Sequence, residues 1–206
     1  MKDSTIRVVS HLMGDGHVNS RYLRYNNKND FLREQFIKDF VNSFGVVHFI
    51  KGVVNSGIPF VQVQNKKIIN QLFKLSKSYL SGDIEFPNFL KTKNQKILFV
   101  KSLFDDEGTV GFRVFNKTGE IKRDLHLALK SRKMIRQLKY FLDNSLYIKT
   151  NKIVKDKRIR NGKIYITWVL YITGKENLQR FKEIIGFHHP DKIEKLEGML
   201  NSYIRK

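Results

Sequence analysis

Apolar positions recur along this chain with two periods, one helical and one alternating, and the two follow the same order in two successive stretches. In the first stretch, residues 6–14 read as a short apolar helix that ends at Gly14-Asp15-Gly16. An extended segment follows, with Tyr22, Leu23 and Tyr25 set among Arg21 and Arg24. Asn29-Asp30 has the chemistry of a helix N-cap. After it Phe31, Leu32, Phe36, Phe40 and Val41 keep helical spacing to Phe44, and Gly45 is the stop. Val46–Val53 and Ile58–Gln64 read as strands joined by the turn Asn55-Ser56-Gly57. A helix over 66–78 closes the stretch.

The second stretch repeats the order. A helix over 95–106 ends at Glu107-Gly108, and strands follow at 109–116 and 121–129 around the turn Asn116-Lys117-Thr118-Gly119. Ser131 caps a helix carrying Met134, Ile135, Leu138, Phe141 and Leu142. Strands at 146–154 and 163–172 flank the basic segment Lys155–Lys163, and a helix covers 175–185. Trp168, with Ile164, Ile166, Leu170 and Ile172, reads as a buried strand face. A last helix at 190–204 has no counterpart, and Pro190 suits its first turn. The expected fold is α+β, with two pseudo-symmetric α-β-β-α-β-β-α halves at 1–78 and 95–206. The linker is 79–94, with Gly82 and Pro87 as breakers.

Charge narrows the class. The chain carries 39 Lys and Arg against 19 Asp and Glu, a net +20. Residues 1–94 hold 14 basic and 7 acidic side chains and residues 95–206 hold 25 and 12, so the excess is no detachable tail. A folded surface this positive calls for a polyanion, and nucleic acid is the usual one. With no cysteine, disulfides, thiolate zinc sites and thiol catalysis are excluded. No apolar run approaches membrane-spanning length and the N-terminus does not read as a signal peptide, so an intracellular protein is expected. His188-His189 lacks suitably spaced partners and reads as structural, and His11 reads as a packing residue.

Against this basic background one acidic pattern occurs twice, as Val8-Val9-Ser10-His11-Leu12-Met13-Gly14-Asp15-Gly16 and as Val100-Lys101-Ser102-Leu103-Phe104-Asp105-Asp106-Glu107-Gly108. Asp15 and Glu107 stand 92 residues apart at matching places. An acid at a helix C-terminus is disfavoured by the helix dipole, so helix termination alone explains the pair poorly. Hard carboxylates suit Mg²⁺, which keeps waters and binds substrate phosphate as well.

The two nonapeptides, their spacing and the element order resemble the LAGLIDADG homing endonucleases in their single-chain, two-motif form. Ile185-Gly186-Phe187-His188-His189-Pro190-Asp191-Lys192 resembles a stretch near the end of such domains. The resemblance covers about residues 5–200 and implies a monomer with an internal pseudo-twofold axis, whose antiparallel sheets form a DNA-binding saddle. It implies that Ser10 and Gly14 meet Ser102 and Asp106 across the motif helices, with a looser contact at Asp106 because it is the largest of the four. Asp15 and Glu107 would bind Mg²⁺, with Mn²⁺ as a substitute, helped by the backbone carbonyls of Gly14 and Asp106. Asn27, Lys28 and Lys130 would stand beside the metals, with Leu129 as the unequal counterpart of Asn27.

Base and phosphate contacts fall to the outward sheet faces. Val61 and Val63 suit the core and leave Gln62 and Gln64 outward; Phe112 and Val114 likewise leave Arg113 and Lys117 outward. Arg21 and Arg24 join this set. Arg and Gln are suited to bidentate reading of guanine and adenine. Lys152, Lys155, Arg158, Arg160 and Lys163 form a basic hairpin within reach of phosphates. The expected function is metal-dependent double-strand cleavage of DNA at a long target. The alternatives are a non-cleaving relative on the same fold, acting on intron RNA or in transcription, and a basic structural or ribosome-associated protein. Intein splicing residues are missing at both ends, so a free-standing protein is expected.

Overall fold

Side-chain caps at Asn29, Asn65 and Ser131 set the starts of the helices that follow them, and burial sets the sheet faces. A computed structural model describes residues 1–114, 120–160 and 162–203, the side chain of Arg160 excepted. The chain divides into two compact units, Met1–Asp106 and Glu107–Lys206.

The first unit begins with α1 (Asp3–Met13), which is buried along nearly all its length. It continues through β1 (Gly16–Val18), β2 (Leu23–Asn26), α2 (Asp30–Phe44), β3 (Ile50–Val53), β4 (Pro59–Val63) and α3 (Lys66–Leu75). The Asn29 side chain accepts the Leu32 N–H, and Gly45 ends α2 with φ of 86°, a left-handed value that glycine adopts without a Cβ penalty. Asn29→Ala is expected to cost about 1 kcal/mol, read as a lower denaturant midpoint at unchanged m-value. The strands form an antiparallel sheet in the order β1-β2-β4-β3. Leu23 and Tyr25 of β2 lie opposite Val63 and Val61 of β4, and all four are buried. Phe36 and Phe40 of α2 complete the core with Leu12. Arg7 clamps the buried Asp39 with two hydrogen bonds, tying α1 to α2.

Helix α4 (Lys93–Glu107) carries the second motif. Residues Lys93–Asp106 belong to the first unit, where Phe99, Val100, Leu103 and Phe104 are buried.

The second unit repeats the sheet with β5 (Gly108–Val114), β6 (Ile121–Leu129), β7 (Val154–Arg160) and β8 (Lys163–Thr173), in the order β5-β6-β8-β7. Ser131 caps α5 (Arg132–Tyr140), which runs into one π-helical turn at Phe141–Ser145. Helices α6 (Lys175–Ile184) and α7 (Pro190–Asn201) close the chain.

Several strand expectations change, and of the strand expected at Val46–Val53 only Ile50–Val53 forms, with Val46 exposed ahead of it. Residues 146–153 are not a strand; only Thr150 bridges to Ile172, and the basic segment itself forms β7. Leu146 and Ile148 are buried all the same, while Tyr147 between them is exposed and takes a positive φ of 56°. Phe112 and Val114 are 43% and 56% exposed, because β5 runs out past the core. Likewise Leu170 and Ile172 are buried, Trp168 is half-buried, and Ile166 and Ile164 are exposed. The predicted turn at 116–119 lies outside the described residues.

Candidate metal and nucleic-acid site

The end of α1 is shaped by a missing side chain. A Cβ on Gly14 would stand 2.8 Å from Asp106 Oδ2 and 2.9 Å from Asp106 Cβ. Glycine therefore lets the ends of α1 and α4 approach closely, and the Asp106 carboxylate fills the space. The contact at Asp106 is tight where a looser one was expected. One turn back, the Ser10 hydroxyl donates to the Phe99 carbonyl at 2.7 Å, and Ser102 is buried with its hydroxyl turned to Leu98 of its own helix.

The Asp106 side chain is fully buried and accepts hydrogen bonds from His11 Nδ1 to Oδ2 at 2.9 Å, from the Tyr25 hydroxyl to Oδ1 at 2.6 Å and, longer, from Asn27 Nδ2 to Oδ1 at 3.5 Å. Burial by itself disfavours an imidazolium, yet Asp106, with Asp105 and Asp39 beyond it, raises the His11 pKa above its ordinary value. Burial, followed by the Asp106 charge, holds the Tyr25 phenol well above its ordinary value, so Tyr25 is a donor. His11 does pack, with ring centroids 5.2 Å from Tyr25 and 6.3 Å from Phe36, but it is also half of a buried ion pair.

Asp15 lies in the turn after α1, half-buried. Its carbonyl accepts the Asn26 N–H and the Asn26 side-chain amide, each at 3.1 Å. Its Oδ2 accepts Asn27 Nδ2 at 2.9 Å. The structure thus brings Asp15, Asn27, Gly14 and Asp106 together within the first unit. Glu107 closes α4, the residue after Asp106.

The donor chemistry fits a hydrated divalent ion. Among the described residues no group of three or more His, Cys, Asp or Glu side chains is arranged as a metal cage. Mg²⁺ does not require one, since it takes one or two carboxylates and fills its shell with water and phosphate. Asn26 Oδ1 is buried with no partner beside this turn, an acceptor that a metal-bound water suits.

The caps align the two lysines. Asn29 and Ser131 are N-caps of α2 and α5, so Lys28 and Lys130 each precede a cap. The Asn27 place is then held in the second unit by buried Leu129. Lys28 is exposed. Lys130 lines a depression of about 380 Å³ with Ala128, Arg158, Tyr165 and Thr167. Arg158 lies directly opposite Tyr165 across β7 and β8.

The outward face of the first sheet holds Arg24 opposite Gln62. The Arg24 guanidinium donates to Gln62 Oε1 from Nε at 2.9 Å and from a terminal nitrogen at 2.7 Å, and it stacks over Phe60 at 4.2 Å. Gln62 is buried beneath it and positions the arginine instead of presenting its own edge. Arg21 and Gln64 are exposed just outside the strands. In the second unit Arg113 is exposed opposite Lys122, and Lys117 lies outside the described residues. Lys155 sits opposite Trp168, 5.9 Å from its ring, and therefore on the other sheet face from Arg158. Lys152 is exposed ahead of β7, Lys163 is exposed opposite Arg160, and nothing is described of the Arg160 side chain.

Sequence reasoning missed the outward face of β6. There Asp124 is buried over Gly111 and holds His126 Nδ1 at 2.7 Å, with Lys122 3.6 Å away. The alternation Lys122, Asp124, His126, Ala128 against Leu125, Leu127, Leu129 was the available signal. It also missed Tyr25 as a polar partner, since the ring alone fits a core position.

Comparisons with known proteins agree with this fold. Residues 94–186 match the LAGLIDADG-like domain model. Over 205 residues the chain is 24% identical to glutamine–fructose-6-phosphate aminotransferase (isomerizing) of Methanocaldococcus jannaschii, covering 95% of this chain and 17% of that protein. Over 198 residues it is 26% identical to the replication factor C small subunit of Thermococcus kodakarensis, covering 94% and 21%. The chain thus spans about a fifth of the length of these relatives. Among solved structures, mesophilic variants of the homing endonuclease I-DmoI superpose with a TM-score of 0.62 at 16% identity, covering 95% of this chain and 97% of that one. I-DmoI in complex with DNA and Mn superposes at 0.60 and 17% identity, covering 89% and 96%. The N-terminal LAGLIDADG domain of DUF199/WhiA superposes at 0.55 and 16% identity, covering 94% and 88%. No described helix is long and apolar enough to cross a membrane. Residues 94–186 thus carry a LAGLIDADG-like domain, and the two four-stranded antiparallel sheets match the fold of the LAGLIDADG homing endonucleases.

Proposed function

We propose that the chain is a site-specific, metal-dependent DNA endonuclease of the homing type, cutting both strands of a long target as a monomer. Asp15 and Glu107 hold divalent ions, Mg²⁺ by preference and Mn²⁺ as a substitute, with the Gly14 and Asp106 carbonyls as further ligands. Bound there, the ions activate water and offset charge on the phosphate and leaving oxygen. Asn27 orients Asp15, while Lys28 and Lys130 meet charge developing on the phosphate. Arg24, Arg113 and Arg158 stand on outward sheet faces for bases or phosphates.

One observation carries this reading: the Asp15 carboxylate is held by Asn27 in a strongly basic protein. A carboxylate repels the DNA backbone unless a cation lies between them, so a pure binder gains nothing from two such acids. A further support is that nearly the whole chain matches small parts of two proteins with unrelated activities, as a self-propagating module would. The likeness to WhiA favours the second reading, a non-cleaving regulator on the same fold.

A cleavage selection on a genomic duplex library in Mg²⁺, with chelator controls and a structured-RNA competitor, separates the two. Discrete double-strand ends that vanish with chelator are expected. Binding to DNA or RNA without cutting in Mg²⁺ or Mn²⁺ would overturn the nuclease reading.

A further inference from the structure

His11, Asp106, Tyr25, Asn27 and Asp15 form one unbroken chain of hydrogen bonds inside the first unit. The links are 2.9 Å from His11 Nδ1 to Asp106, 2.6 Å from the Tyr25 hydroxyl to Asp106, 3.1 Å from Asn27 Nδ2 to the Tyr25 oxygen and 2.9 Å from Asn27 Nδ2 to Asp15. Each link has a fixed direction. A carboxylate oxygen accepts, so the Tyr25 hydroxyl donates its hydrogen bond to Asp106. The Tyr25 oxygen is then left as an acceptor, which calls for an N–H from Asn27. Independently, Asn27 Oδ1 accepts the Asn29 backbone N–H at 2.9 Å, which orients the amide the same way. Asn27 therefore presents an N–H to Asp15 Oδ2, with Asp106 Oδ1 3.5 Å from the same nitrogen.

We infer that Tyr25, polarised by the buried Asp106–His11 pair, is a positioning residue that fixes the orientation of the Asp15 carboxylate toward its divalent ion. The Tyr25 hydroxyl and the Asp106 side chain act on Asp15 through Asn27. The arrangement resembles the outer hydrogen bonds that aim metal ligands in general, whose loss weakens metal binding or activity by roughly 10–100-fold. This inference rests on the proposed metal role of Asp15, and two observations separate the claims.

The test compares wild type with Tyr25→Phe, which removes one oxygen, and with Asn27→Ala and its conservative partner Asn27→Gln. Mn²⁺ bound to each protein–DNA complex is counted by electron paramagnetic resonance of the free ion, and cleavage is followed against Mn²⁺ concentration. For Tyr25→Phe the expected result is a rise of about tenfold in half-saturating Mn²⁺ in both readouts, with the rate at saturating Mn²⁺ within about threefold of wild type. Asn27→Ala should raise the half-saturating Mn²⁺ likewise, and Asn27→Gln should recover part of that loss. Unchanged Mn²⁺ dependence in a folded Tyr25→Phe protein would overturn the inference while leaving the nuclease intact. If Tyr25→Phe fails to fold, Asn27→Ala decides: unshifted Mn²⁺ dependence there overturns it equally. A wild type that neither binds Mn²⁺ nor cuts would instead sink the functional reading beneath it.

Discussion

Asp15→Asn and Glu107→Gln are each expected to slow cleavage of a mapped target by on the order of 10³-fold, several kcal/mol of transition-state stabilisation. Each change keeps the shape of the side chain and removes only its charge. In Asp15→Asn the turn should persist, because its carbonyl bonds to Asn26 come from the backbone and the Asn27 amide can donate to the new side-chain oxygen. DNA affinity should move the other way. Removing a negative charge next to a polyanion weakens no phosphate contact, so binding at low salt should hold or tighten slightly. Single-turnover cleavage and filter binding on the same duplex read the two effects. Loss of both together would point to misfolding; retention of both would remove these acids from the chemistry.

The second large effect is on stability. His11→Leu should destabilise the protein by about 3–5 kcal/mol, because it leaves the fully buried Asp106 carboxylate without its cation. For a chain of this size that corresponds to a fall in Tm of roughly 6–20 °C. Adding Asp106→Ala should restore most of the loss, since removing both halves of a buried pair is far milder than removing one. The Ala methyl also keeps the Cβ that already sits against Gly14. Some deficit should remain from the Tyr25 hydroxyl, which loses its acceptor. Thermal unfolding followed by circular dichroism checks this. A His11→Leu protein as stable as wild type, or a double variant no better than the single, would contradict the pair's energetics.

The parts of this fold legible in the sequence were those written in local chemistry. The caps at Asn29 and Ser131 and the glycine stop at Gly45 are short-range signals, and the structure realises each. The duplicated order of helices and strands was legible for the same reason. Where strands outrun the core, as at Phe112, Val114, Ile164 and Ile166, alternation alone misplaced residues, because apolar side chains there face solvent. The basic segment Lys155–Lys163 reads from its charges as the connection between two strands, whereas Val154–Arg160 forms the edge strand β7 itself. At the candidate site, the meeting of Asn27 with Asp15 was legible from the family resemblance. The pairing of His11 with Asp106 was not, because it joins residues 95 positions apart and neither one alone signals the other. Gln62 was assigned to the correct face, but its capture by Arg24 depends on the register between β2 and β4, which no local pattern specifies.

The central claim is that Asp15 and Glu107 are metal ligands, and anomalous scattering from Mn²⁺ in a crystal of the protein bound to its selected duplex tests it most directly. The account predicts an anomalous peak at each of the two carboxylates, at coordination distances of about 2.0–2.2 Å. A well-ordered complex with no peak at either acid, or with Mn²⁺ held elsewhere, would contradict it.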